Sequence, residues 1–379
     1  MRIVIAPDSF KECLSSTRVA DSISKGIQRV FPEVEIIVIP MSDGGEGTVE
    51  ALVKATGGKI IHADSVDALN RPINSFYGIL GDGKTAVIEM AAASGIELLK
   101  TEERNPLITS TFGTGLLIKA ALEKGYNDII IGIGGSATND GGAGMAQALG
   151  FGLFDVNGIE IGSGGGSLNR LKTIDQSNVY PLLKNAKITI ASDVRNPLLG
   201  SSGATNIYGP QKGASPEIVE VLERNMIHFS EILEKEFGIS YAQIEGAGAA
   251  GGLGAGLMAF CHAEMNSGFA IIRQYTQLEE KISAANLVFT GEGKVDSQTL
   301  QGKMVGGIAE IGKKHQVPVI VLAGDTSNMP EDIYQLGVTS VFSISNSPIS
   351  LEESKARAAE LIADTAERIM VRLGNADSW

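Results

Sequence analysis

Cysteine is scarce: two thiols, Cys13 and Cys261, stand in 379 residues. That count excludes a disulfide scaffold and a thiolate zinc centre, and it is consistent with a reducing cytosol. Histidine is as sparse, with His62, His228, His262 and His315 scattered at no metal-ligand spacing. They read as structural or surface side chains. Basic residues are outnumbered: 31 Lys and Arg against 44 Asp and Glu leave a formal charge of −13, without a basic run. A nucleic-acid or anionic-membrane surface is thereby disfavoured as the main function. No apolar stretch approaches the roughly 20 residues that span a bilayer. The opening Met-Arg-Ile-Val-Ile-Ala-Pro turns polar too early for a signal-peptide core. A cytoplasmic location is expected.

The common nucleotide and hydrolase fingerprints are missing too. Gly302-Lys303 is followed by Met304, and the glycine a P-loop needs upstream is Ser297. One Gly-x-Gly-x-x-Gly occurs, at Gly246, Gly248 and Gly251, but the preceding Ser240–Glu245 is weakly strand-like. Close helix packing or a tight loop is its expected use. No Gly-x-Ser-x-Gly elbow supports a serine hydrolase. An Asp-x-Asp phosphatase nucleophile is absent at Asp8-Ser-Phe-Lys.

Glycine is what the chain has in excess, 47 residues or about 12%, against a usual share of about 7%. It falls in separate loops that also carry acids: Ala-Pro-Asp-Ser-Phe-Lys (6–11), Ser-Asp-Gly-Gly-Glu-Gly-Thr (42–48), 134–144, and Thr-Gly-Glu-Gly-Lys-Val-Asp (290–296). Each follows a short apolar run. In open α/β sheets ligands bind where such loops meet at the carboxyl ends of strands. Glycine admits close backbone approach to an anion, and carboxylates suit a hard cation or a proton acceptor. Phosphate handled with Mg²⁺ is the chemistry that pairing suggests.

At this length two domains are expected. Arg2–Ala6, a helix over 17–30, Val34–Ile39 and a helix near 46–56 alternate as in a parallel sheet. Gly81-Asp82-Gly83 and Asn157-Gly158 read as hairpin turns, which belong to antiparallel sheet. Asp128–Ile133 and Lys187–Ala191 are buried-strand candidates of either domain. Leu287–Thr290, Val317–Ala323 and Val338–Ser343 restore the parallel pattern. Ser350 with Glu353 forms a helix-start signal, and Gly374 can end that helix. The expected fold is α/β: a discontinuous doubly wound, Rossmann-like parallel-sheet domain of residues 1–65 and 286–379. A second α/β (α+β) domain, 66–285, is inserted, with a cleft between.

The loops above resemble glycerate kinase type 1. The resemblance also rests on Ile-Glu-Met-Ala (88–91), Thr-Ser-Thr-Phe-Gly-Thr-Gly (109–115) and the run 132–145. Ala-Ser-Asp-Val-Arg-Asn-Pro-Leu (191–198), Tyr-Gly-Pro-Gln-Lys-Gly-Ala (208–214) and 290–299 complete it, nearly end to end. Glu12 and Ser42 stand where that family usually has Gly and Ala. The resemblance implies ATP-dependent phosphorylation of D-glycerate, usually at the 2-hydroxyl, with Mg²⁺; a 3-phosphoglycerate product and a non-catalytic sensor are the alternatives. It implies small-molecule partners only, and a homodimer is compatible with it.

Residue chemistry and loop position then suggest roles. Asp193 or Asp296 would accept the hydroxyl proton, and Lys11 and Lys212 would neutralise the transferred phosphate. Asp8, Ser9, Asp43 and either Arg71 or Arg195 would meet the substrate. Gly134, Gly135, Ser136, Thr138, Asn139, Gly291 and Gly293 would hold ATP, and Asp43 and Glu292 the Mg²⁺.

Overall fold

The computed structural model describes residues 1–10, 13–297, 299–300, 304–345 and 350–375. Lys11 lies outside them. The chain divides into two compact units: Met1–Asp43, Glu50–Thr56 and Phe269–Trp379 form the first, and Gly44–Val49 with Gly57–Gly268 the second. In chain order β1 (Arg2–Ile5) and β2 (Glu35–Val38) open the first unit. The second unit holds β3 (Lys59–Val66), β4 (Pro72–Ile79), β5 (Thr85–Glu89), β6 (Asp128–Gly132), β7 (Gly152–Phe154), β8 (Thr173–Asp175), β9 (Lys187–Ala191) and β10 (Glu264–Asn266). Strands β11 (Leu287–Lys294), β12 (Val319–Asp325) and β13 (Ser340–Ser343) return to the first. The expected border at 65/66 falls inside β3, which pairs along its whole length with β4 and so cannot be divided from it, and the expected border at 285/286 lies past the break at Gly268/Phe269.

The first unit is a five-stranded sheet in the order β13-β12-β11-β1-β2, with every pair parallel. Side chains alternate between its faces. Ile5, Phe289, Ile320 and Leu322 pack on Ile23, Ile27, Ile362 and Ile369 of the helices Ser16–Val30 and Ala358–Gly374. Val321 and Ala323 point the other way, onto Val305 and Ala309 of the helix Met304–His315. Helices on both faces make it doubly wound, as expected. Thr290–Gly293 is not a loop: β11 runs on to Lys294, with Gly291 opposite Leu322 and Lys294 opposite Asp325.

On the surface of this unit Glu279 accepts from Lys314 at 2.6 Å, lies 3.1 Å from His315 Nε2, and also bonds Arg273. These cations hold its carboxyl down at about 2, below the ordinary 4.5. A depressed carboxyl stabilises the fold above its unfolded pKa and loses that contribution as pH falls toward the folded value. Between pH 4.5 and 2, urea midpoints should therefore fall more steeply for the wild type than for Glu279→Gln.

The second unit is a six-stranded mixed sheet in the order β10-β9-β6-β5-β4-β3. β5, β6, β9 and β10 run parallel, whereas β3, β4 and β5 are antiparallel neighbours. The hairpin expected at Gly81–Gly83 joins β4 to β5, with Gly83 at φ 68 and Asp82 accepting from Lys84 N and Thr85 N. Around Asn157-Gly158 the Asp155 carboxylate accepts from the N–H groups of Asn157 and Ile159, closing the second turn. Gly246–Gly251 is a tight turn before the helix Leu253–Cys261, the packing use expected of it.

Candidate active site

In the second unit the carboxyl ends of β5, β6 and β9 carry the glycine-rich loops. Several of those glycines are demanded by backbone meeting backbone. A Cβ at Gly44 (φ 88) would lie 2.2 Å from Ala191 O, and one at Gly134 would lie 2.5 Å from Gly45 Cα. Gly134 N donates to Gly44 O at 3.0 Å. The loop 44–48 is thus seated on the ends of β6 and β9. It leads into the helix Thr48–Thr56, whose Val49 N–H donates to the buried Glu89 carboxylate at 2.6 Å. Gly134 and Gly135 remain partly open to solvent, and Ser136 is nearly covered.

Beneath them lies a polar interior. Asp140 is fully buried and accepts from Thr111 N (2.8 Å), Thr111 Oγ1 (2.9 Å), Gly142 N (3.1 Å) and Gly144 N (3.2 Å). Burial raises its carboxyl pKa, and those four donors oppose the rise. Thr109 Oγ1 donates to Ala137 O, and Asn139 Nδ2 to Thr205 Oγ1 on the helix Ala204–Tyr208. Thr138 Oγ1 and Asn139 Oδ1 are buried, with no hydrogen-bond partner among the described residues. Thr138 and Asn139 therefore sit behind the exposed glycines, as support.

Lys212 was expected to face phosphate, but the turn Pro210–Lys212 carries it inward. Its side chain is 1% exposed, and the ammonium donates to Thr138 O at 2.6 Å. Burial pushes its pKa down to about 7, while Asp140 pulls it back up. A lysine so placed fixes the loop 138–140. Lys212→Met leaves the Thr138 carbonyl unsatisfied and should cost about 1–3 kcal/mol in urea unfolding at pH 7. Because the folded pKa lies below the unfolded 10.5, the fold bears the burial cost fully below pH 7 and sheds it as pH rises to 10.5. Wild-type stability should rise over that window relative to Lys212→Met. Equal stability of the two proteins at every pH would refute this bracing role.

Beyond β9, Asp193 Oδ1 accepts from Gly268 N at 3.2 Å, at the start of the helix Gly268–Thr276. Arg195 is exposed two residues on. Arg71 is already engaged: Nε lies 2.5 Å from Asp67 and Nη1 2.6 Å from Glu103. Its planar fork is occupied by carboxylates of this chain, which makes it a brace for the turn 67–71.

In the first unit the ends of β1 and β11 meet. Thr290 Oγ1 donates to Ala6 O at 2.7 Å, and Asp8 N to Gly291 O at 2.8 Å. Ser9 N returns to Asp8 Oδ1 at 2.7 Å. Thr299 links two acids, donating to Glu292 Oε1 at 2.6 Å while accepting from Asp296 N at 3.1 Å. Lys294 Nζ stands 3.7 Å from Asp296 Oδ2. Asp8, Glu292 and Asp296 thus gather at one sheet end, and Asp43 follows β2. Gly291 serves strand packing, since a Cβ there would meet Leu322 O at 2.3 Å. Among the described residues no group of three or more His, Cys, Asp or Glu is arranged as a metal cage. Mg²⁺ needs only one or two carboxylates besides substrate phosphates, which this hard-oxygen set can supply.

Sequence reasoning took Asp140 only as one of the loop acids and gave Thr111 no role, yet Thr111 donates to it twice. Their signal was the run 109–115, which carries six hydroxyl or glycine positions in seven residues without a turn residue such as Asn, Asp or Pro.

The model of the glycerate kinase family matches residues 3–374. "Glycerate 2-kinase" of Escherichia coli (strain K12) is 50% identical over 373 residues, covering 98% of both chains. "Glycerate kinase" of Bacillus subtilis (strain 168) is 49% identical over 369 residues, 97% of each. A crystal structure described as a glycerate kinase 2 from Salmonella typhimurium LT2 superposes with a TM-score of 0.87 at 44% identity, covering 99% of this chain and 98% of that one. With the family model matched over nearly the whole chain and relatives 49–50% identical end to end, this chain belongs to the glycerate kinase family.

Proposed function

We propose that this chain transfers the γ-phosphoryl group of ATP to the 2-hydroxyl of D-glycerate. The observation that carries the reading is the full-length 50% identity to a protein named glycerate 2-kinase. The acids and glycines at the strand ends supply groups suited to that chemistry.

Phosphoryl transfer asks a protein chiefly for positioning and charge neutralisation. Asp193 would accept the proton of the attacking hydroxyl, with Asp296 as the other candidate. The N–H groups of Gly134, Gly135 and Ser136 would receive ATP phosphates. Thr138 and Asn139 hold that loop from within. Arg195 would bind the glycerate carboxylate, since the Arg71 fork is held by Asp67 and Glu103; Asp8 and Ser9 are the substrate-binding candidates of the first unit. Lys11 would neutralise transferred charge. Glu292 and Asp43 would hold Mg²⁺, which when bound offsets the negative charge of the phosphates. A cytoplasmic location suits these soluble substrates, and among the described residues no helix is long and apolar enough to cross a membrane.

ADP release that depends on D-glycerate tests the reading. Turnover of another hydroxy acid with none of D-glycerate would overturn it.

A further inference from the structure

A cavity of about 630 Å³ lies away from the strand ends that carry the acids and glycines. It lies wholly in the second unit, at the amino ends of β9 and β10, where Lys187, Ile188 and Glu264 line it. The same strand β9 ends at Ala191, two residues before Asp193, so cavity and proposed catalytic aspartate occupy opposite ends of one strand. Ligands of the reaction in an open α/β sheet bind at the carboxyl ends. This cavity is therefore no part of the site described above.

Its walls have a definite chemistry. Phe260 lines it, with Phe151 edge-on to it at 4.9 Å between centroids and Phe237 edge-on at 5.4 Å. Tyr180 also lines it, with Lys119 Nζ 5.2 Å from its ring centroid. Tyr180 and Phe237 remain partly exposed although large aromatic surface is ordinarily buried. Lys184 and Lys187 border the aromatic box, and neither has an ion-pair partner among the described residues. Glu264 is the single acid of the lining, against two lysines. The volume falls in the range of small-molecule sites, about 300–1,000 Å³, and such sites combine apolar walls with few polar groups.

We propose that this cavity is a second binding site, taking a small aromatic anion whose ring packs against Phe260 and Tyr180 and whose acid group meets Lys184 and Lys187. Its distance from the strand ends makes it an effector position, not a substrate one. The probe is 8-anilinonaphthalene-1-sulfonate, titrated into the full-length protein by fluorescence without ATP or glycerate, so that the outcome stands apart from the kinase reading. N-phenyl-1-naphthylamine, which keeps the rings and lacks the charge, is the control. One saturable site per chain is expected. The double variant Lys184→Glu/Lys187→Glu changes only exposed side chains, and it should weaken the anion at least about tenfold while leaving the neutral analogue within about twofold. Absence of a saturable site, anion binding that ignores the charge reversal, or equal loss of both probes would overturn the proposal.

Discussion

Asp193→Asn should lower kcat for D-glycerate phosphorylation about 10²–10⁴-fold, the usual contribution of a positioned general base. The substitution keeps size and shape, and the amide oxygen can still accept from Gly268 N, which now bonds Asp193 Oδ1 at 3.2 Å. Folding and nucleotide affinity should therefore be retained, so that the loss falls on kcat and not on KM. Asp296→Asn is the companion measurement. Its carboxylate lies 3.7 Å from Lys294 and beside the Thr299 link to Glu292, a setting suited to organising charge. It should raise KM for ATP with Mg²⁺ more than it lowers kcat. A full kcat in Asp193→Asn, with the large loss in Asp296→Asn, would exchange the two roles.

Gly251→Ala should destabilise the protein by about 2–5 kcal/mol, combining about 1–2 kcal/mol for a left-handed residue with about 1–3 kcal/mol for overpacking. Gly251 has φ +65, and a Cβ there would stand 2.0 Å from Thr138 O and 2.7 Å from Asn139 Cα. Both obstacles are backbone and cannot swing aside. Gly251 O also accepts from Gly141 N at 3.0 Å, and Gly256 would meet Gly141 O at 2.4 Å. Two glycine turns are thus pressed together, one of them carrying Asp140. Gly238→Ala supplies the contrast: it shares a positive φ of 71 but has nothing within 4 Å of an added Cβ. It should cost only the conformational share, about 1–2 kcal/mol. Equal urea midpoints for the two variants would refute the contact explanation.

Much of the architecture was legible because it rests on local signals. Short apolar runs placed β1, β2, β6 and β9 within a residue or so, and turn chemistry located the β4–β5 hairpin and the turn at Asn157-Gly158. Strand β11 was read too short, since Gly291 and Gly293 weaken a strand taken alone. Its continuation is decided by pairing with Leu322–Asp325, some thirty residues away in sequence. The site was less legible for one reason repeated in several forms. A glycine that cradles an anion and a glycine crowded by another backbone look the same in sequence, and Gly44 and Gly134 are crowded by Ala191 and Gly45. Lys212 and Arg71 carry the charges a phosphate or carboxylate would want. Their partners, Thr138 O and the acids Asp67 and Glu103, appear only once the chain is folded. Half of the donors to Asp140 come from Thr111, 29 residues before it.

The most direct test of the central claim is the identity of the product. Purified protein is incubated with ATP, Mg²⁺ and D-glycerate, and the mixture is passed to enolase with and without phosphoglycerate mutase. Phosphorylation at the 2-hydroxyl is expected to give phosphoenolpyruvate with enolase alone. Phosphoenolpyruvate that forms only after the mutase is added would contradict it, placing the phosphate on the 3-hydroxyl.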